Sequence, residues 1–193
     1  MLRLYAFIAS ASGVLAAPSP AGFELHAYYT NYPGLGAPAI NASGGSFWIH
    51  KPTQSYCPDS VANITTCPLG NGTSFVAGGQ AGTLFMNTEV PGGQQVYVAP
   101  NGLLKYTVPH SGNIPEGSLT TGLIVNATTA QLNRYYTFWM CNLPEDSNVW
   151  QVWLQYEDEK GSIRIGGQGD KNACTRFVLI SEPVQGIGAW EYL

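Results

Sequence analysis

Proton-transfer chemistry needs an acid and a base held together, and the chain offers three histidines (His26, His50 and His110) and twelve carboxylates for it. The least strained enzymatic inventory is that of a small secreted ribonuclease. His50 and His110 with a Glu would move protons, and Arg134 or Arg176 would hold phosphate. Inventory is not geometry. His50 ends an expected strand and His110 follows Pro109 in an expected turn, so both read better as surface residues. Hydrolysis of a glycan needs two carboxyls facing each other across a cleft. Glu157, Asp158 and Glu159 are consecutive, and consecutive turn residues point apart; Glu89 and Glu182 stand near prolines as strand ends. No GxSxG elbow and no HExxH helix occurs. Gly-Gly-Gln triplets at Gly78, Gly92 and Gly166 read as turn glycines rather than ester chemistry. With no CxxC spacing and the histidines far apart, neither a metal site nor a cofactor is expected. No catalytic residue is assigned.

Cysteine chemistry depends on the compartment, which the N-terminus indicates. Arg3, an apolar stretch from Leu4 to Ala16, and Ala16-Ala17 before Pro18 make residues 1–17 a cleavable secretory signal. The stretch is too short to span a bilayer, and the C-terminal residues lack a lipid-anchor tail, so no membrane anchor is expected. In an exported chain Cys57, Cys67, Cys141 and Cys174 form two disulfides, with three connectivities open. Cys57–Cys67 and Cys141–Cys174 are favoured because each closes a local loop. In the chain-entropy model these contribute roughly 3 and nearly 4 kcal/mol. Four N-glycosylation sequons begin at Asn41, Asn63, Asn71 and Asn126. Asn63 and Asn71 bracket Cys67, so glycans on both would place that disulfide loop on the surface. Asn126, at an expected strand end, is the sequon most readily skipped.

These residues must be positioned by strands. Charged residues make up 10% of the chain and aromatics 12%, a balance that folds rather than staying disordered. Loss of Arg3 with the signal moves the net charge from −4 to −5, and the remaining bases are scattered. That excludes nucleic-acid binding as a principal function. Phe23, Leu25, Ala27 and Tyr29 alternate with polar neighbours, the period of a half-buried strand. Val149–Tyr156 is clearer still, with Trp150, Val152, Leu154 and Tyr156 on one face and Gln151, Trp153 and Gln155 on the other. Trp153, among glutamines, is therefore the candidate for an exposed sugar-stacking platform, whereas Trp48, Trp139 and Trp150 suit the core. Trp190 and Tyr192 would pin the last strand. Further strands are expected at 46–50, 83–90, 95–99, 103–108, 122–126, 136–141, 162–165 and 175–181. Pro91-Gly92-Gly93, Pro100-Asn101-Gly102 and Glu157–Gly161 supply the turns, and only Thr128–Asn133 suits a helical turn. The fold expected is all-β, one β-sandwich or barrel of short antiparallel strands over residues 18–193, with two disulfides.

Phe47-Trp48-Ile49, Tyr56-Cys57-Pro58, Cys67-Pro68 and the run Val90-Pro91-Gly92-Gly93-Gln94-Gln95-Val96-Tyr97-Val98 carry a resemblance. So do Trp139-Met140-Cys141, Trp150-Gln151-Val152, Cys174 and Ala189-Trp190-Glu191-Tyr192. In this order they resemble the fungal PhiA-type cell-wall proteins and the related IgE-binding surface antigens. The resemblance implies a secreted wall protein with a place in asexual development (phialide and conidium formation) and in stress tolerance. It implies no catalytic motif. Three readings result. The first is a non-catalytic wall glycoprotein whose partners are cell-wall polysaccharides or mannoproteins. The second is a lectin-like module using Trp153, and the third is a ribonuclease-like hydrolase. Nothing in the residues sets an oligomeric state.

Overall fold

The computed structural model describes residues 22–29, 36–78, 82–123, 125–126, 131–132, 137–143, 145–157, 163–165 and 174–193. The expected signal, residues 1–17, lies outside them. The strands in chain order begin with β1 (Gly22–Tyr28), β2 (Asn41–Ser43), β3 (Ser46–Ile49) and β4 (Ser55–Tyr56). A single helical turn, α1 (Asp59–Ala62), follows, then β5 (Ser74–Ala77), β6 (Leu84–Met86), β7 (Val96–Val98) and β8 (Leu104–Tyr106). Next come β9 (Val125–Asn126), β10 (Gln131–Leu132), β11 (Thr137–Leu143) and β12 (Asp146–Glu157). The last are β13 (Ile163–Ile165), β14 (Cys174–Val184) and β15 (Glu191–Tyr192).

The main sheet runs β6-β5-β1-β14-β11-β12-β3-β8-β7. Its two edge strands meet through a bridge between Phe85 and Gln95 and a hydrogen bond from Met86 N to Gln94 O at 2.9 Å. That seam brings the sheet to a nearly closed barrel, which hides the edges an open sheet would expose. Alternation fills the interior. Leu25, Ala27 and Tyr29 are buried from β1 and its end, Phe138 and Met140 from β11, and Val152 and Leu154 from β12. Phe47 packs on Phe75 at 5.4 Å and on Tyr106 at 5.1 Å between ring centroids. A barrel this small is filled by its own side chains.

The longest strands follow the expected period, and β12 extends past both expected ends. Ala99-Pro100-Asn101-Gly102 turns β7 into β8 with Gly102 at φ +90° and Gly102 N donating to Ala99 O at 2.7 Å. Gly92 (φ +87°) and Gly93 (φ +63°) take the left-handed conformations expected of the other turn. One expectation fails. Of the segment read as a helical turn, Gln131 and Leu132 form β10, which pairs with β9 and β14; residues 128–130 and 133 lie outside the description. The helical turn sits instead at Asp59–Ala62, after Pro58 at φ −64°. Proline lacks the N–H a helix start cannot satisfy anyway, so it suits that entry. Glu157 is the last residue of β12, and Asp158 and Glu159 lie outside the described residues.

The disulfides are Cys57–Cys67 and Cys141–Cys174. Cys57–Cys67 closes the loop that carries α1 and Asn63. Cys141 and Cys174 are direct partners in the β11–β14 pairing, so this bridge ties two neighbouring strands rather than two layers. Among the described residues no helix is long and apolar enough to cross a membrane.

Candidate functional site

An open groove of about 450 Å³ lies at one end of the barrel. The Gly44-Gly45 turn of the β2–β3 hairpin lines it together with Tyr97, Lys105, Tyr106, Thr107, Val108, Pro109, Ser111, Asn113, Tyr192 and Leu193. Both glycines have positive φ and little or nothing near an added Cβ, so the turn is tight and leaves the groove open. Polar groups ring it. Lys105 Nζ lies 3.5 Å from Ser46 Oγ, and Ser111 Oγ accepts from Asn113 N at 3.2 Å. Tyr106 OH accepts from Gly45 N at 3.2 Å and donates to Leu193 O. Burial pushes the Tyr106 phenol far above its usual range against a smaller opposing effect of the Gly45 amide, and burial also raises Tyr97. Both rings therefore stay neutral, and the Tyr106 hydroxyl is already taken up by Gly45 and Leu193.

Behind this groove a polar network locks the C-terminal segment into the barrel. Gln94 is fully buried. Its Nε2 donates to Thr107 O at 3.0 Å and Tyr192 O at 2.9 Å, and its Oε1 accepts from Tyr192 N at 2.8 Å. Tyr192, also fully buried, accepts from Ser74 N at 3.0 Å and donates to Gly72 O at 3.0 Å through its hydroxyl. Burial raises its phenol pKa, partly offset by the Ser74 amide. The second Gly-Gly-Gln triplet is thus a turn followed by an anchor. Tyr192 pins the last strand as expected.

The other candidates are placed as follows. His50 (φ +66°) and His110 (φ +59°) occupy left-handed turn positions. His50 Nδ1 bonds Asn148 O at 3.1 Å, while His110 sits in the turn after β8, so the two belong to different surroundings. Arg176 is exposed over the Trp139 ring at 5.7 Å, and Arg134 lies outside the described residues. Among the described residues no group of three His, Cys, Asp or Glu is arranged to hold a metal ion.

Trp153 corrects the sequence expectation. It does lie on the face opposite Val152 and Leu154, but it is only 6% exposed and offers no open platform. The reason is cross-strand packing: Trp139 stands directly opposite it on β11, and Leu103 bridges it from the β7–β8 turn. Trp139, expected in the core, is the half-buried member of this pair, its Nε1 donating to Gln155 Oε1 at 3.1 Å. Trp48 is buried as expected but shares that outward face, with Lys51 Nζ 4.2 Å from its ring centre. Trp150 is half-buried against the core.

One titratable group escaped notice in the sequence. Glu24 and Glu182 face each other across the β1–β14 pairing. His26 Nε2 stands 3.5 Å from Glu24 and 3.7 Å from Glu182. Its Nδ1 is 3.0 Å from Ala37 O, and a carbonyl only accepts, so Nδ1 carries the proton there. Nε2 is shut off from solvent, which suits a strand-to-strand contact better than turnover. Glu24–His26 alternation was visible, but only the pairing of β1 with β14 brings in Glu182.

The sequons differ in setting. Asn41 lies in β2 with Nδ2 donating to Lys51 O at 2.8 Å and Oδ1 accepting from Thr53 at 3.2 Å. Asn63 is the exposed C-cap of α1. Asn71 is exposed on the rim of a second groove, and Asn126 is placed by its backbone in β9.

A family model for PhiA-like secreted proteins matches residues 23–193. An uncharacterized secreted protein of Arthroderma benhamiae is 31% identical over 194 residues, covering 96% of this chain and 93% of that protein. No solved structure matches the chain. The match takes in both disulfides, the Gln94–Tyr192 anchor and every described strand from Phe23 onward, and the chain belongs to the PhiA-like secreted protein family.

Proposed function

We propose that the protein is a non-catalytic component of the fungal cell wall that holds wall polysaccharide or mannoprotein in the groove at the end of its barrel. The observation that carries this reading is the chemistry of the groove. Lys105 brings an ammonium, Ser111 a hydroxyl and Asn113 an amide beside an apolar wall of Val108 and Leu193, while Tyr97 and Tyr106 are themselves buried. Such donors and acceptors suit a sugar's hydroxyls, and the apolar wall suits its C–H faces. The groove lining contains no carboxylate side chain for acid–base work. Family membership supports export, and the resemblance supports a place in phialide and conidium formation and in stress tolerance.

The test is adsorption of purified protein to chitin, β-glucan and mannan. A specific ligand gives a saturating isotherm that Lys105→Ala with Asn113→Ala weakens about tenfold or more, the loss of roughly 1.4 kcal/mol. Linear, non-saturating uptake on all three polymers, unchanged in that variant, would refute the groove as the binding site.

A further inference from the structure

We propose that Asn71 carries an N-linked glycan whose first sugars lie in the neighbouring groove and cover apolar surface that the fold leaves bare. The two most exposed large aliphatic side chains among the described residues are Leu69, 90% exposed, and Ile64, 84% exposed. Each lies within two residues of a sequon asparagine, Asn71 and Asn63 respectively. At Asn71 a seat accompanies the pattern. Asn71 and Leu69 line an open groove of about 190 Å³ together with Ile187, which is 41% exposed. That is smaller than the roughly 300 Å³ at which enclosing ligand pockets begin, and it suits a tethered ring lying flat rather than a free ligand held by its own affinity. Gly186 has nothing within 4 Å of an added Cβ, so the groove stays open beside it, and Glu24 contributes a carboxylate to the same lining. Aliphatic surface for the C–H face of a sugar and an acceptor for its N–H and O–H groups therefore stand beside the attachment atom. Asn63 has the bare isoleucine but lines neither described groove.

Attachment joins the Asn71 amide nitrogen to the anomeric carbon of an oligosaccharide carried on a lipid diphosphate. The sugar–phosphate C–O bond breaks, the lipid diphosphate leaves with the electron pair, and the amide gives up one proton. Thr73 completes the sequon, yet it is buried in the fold. Its Oγ accepts from Ala42 N at 2.8 Å and bonds Thr53 at 2.8 Å. The transfer therefore precedes formation of this part of the barrel.

The experiment uses full-length protein secreted from a glycosylating fungal host. Glycopeptide mass spectrometry reads occupancy, and thermal unfolding with an apolar-surface dye reads the seat. Asn71 is expected to be occupied. Asn71→Gln is expected to lower Tm by roughly 2–4 °C and raise dye binding, whereas Asn63→Gln leaves both near wild type. Trimming the glycan on folded protein to one sugar is expected to preserve Tm, and complete enzymatic removal to reproduce the Asn71→Gln loss; this arm needs no variant to fold. Adding Leu69→Ser and Ile187→Ser to Asn71→Gln is expected to return dye binding to the wild-type level. An unmodified Asn71 in the secreted protein overturns the proposal. So does equal behaviour of the Asn71 and Asn63 variants, or a fully deglycosylated protein with unchanged Tm and dye binding. None of these outcomes depends on whether the barrel-end groove binds wall polymer.

Discussion

Replacing Gln94 with alanine tests the anchor on which the barrel-end groove depends. Gln94 is fully buried and makes three hydrogen bonds, to Thr107 O, Tyr192 O and Tyr192 N. Gln94→Ala removes both sides of the amide and leaves one N–H and two carbonyls facing a small cavity. An orphaned buried polar group costs about 1–3 kcal/mol, and the donor is the worst to strand. Carbonyls tolerate it better, and water entering the space recovers part of the loss. A total near 3–5 kcal/mol follows, which at roughly 2–4 °C per kcal/mol for a chain of this size lowers Tm by about 6–20 °C. Gln94→Glu separates hydrogen bonding from volume. Its carboxylate still accepts from Tyr192 N but turns an oxygen toward two carbonyls, so the defect should ease as acid protonates it and restores one donor. Urea unfolding followed by tryptophan fluorescence, at several pH values, measures both variants. A loss below about 1 kcal/mol for Gln94→Ala, or a Gln94→Glu defect indifferent to pH, would show that the network does not hold the C-terminal segment.

The same fold makes three further predictions. Removing Cys141–Cys174 should cost more than removing Cys57–Cys67, about 4 against about 3 kcal/mol for separations of 33 and 10 residues, measured by urea unfolding of paired Ala variants. Tyr106 and Tyr192 have phenol pKa values raised by burial. Their contribution is therefore fully present below the unfolded value near 10 and is lost as pH climbs above it. Alkaline unfolding that is no less steep in Tyr192→Phe than in wild type would count against this. Trp153→Ala should destabilise by about 3–5 kcal/mol, as expected for a buried aromatic, and Trp139→Ala by visibly less. Trp153→Phe, if it folds, should leave polysaccharide adsorption unchanged.

Legibility in the sequence tracked how local each cause was. The alternation in β1 and β12 and the Pro100-Asn101-Gly102 turn are short-range consequences of backbone sterics, and the local disulfides follow from loop closure; all stand in the fold. Strands β2, β4, β5 and β15 were not among the expected strands because each is only two to four residues long, too short for an alternating run to show. The helical turn was misplaced because Pro58 and the surrounding disulfide decide it, not residue propensity. Trp153 was misread because its polar neighbours along the strand said nothing about Trp139 and Leu103 arriving from other strands. Gln94 was the least legible. Its glycine-rich surroundings announce a turn, and only the return of Tyr192 makes the amide an anchor.

The pairing of β1 with β14 sets the order of assembly. Gly22 meets Val184 in that register, so the first described strand finds its main neighbour only after nearly the whole chain has entered the export pathway. Until then its backbone donors and acceptors are partnered at most by the 38–40 segment, through Ala27 N to Pro38 O and Ile40 N to Leu25 O, and by the brief β5 contact at Phe23 and Glu24. Contacts this distant along a chain make folding slow and leave sticky intermediates waiting. The protein should therefore rely on the folding helpers of its secretory compartment. A truncation that stops short of β14 should accumulate as aggregate there rather than leave the cell.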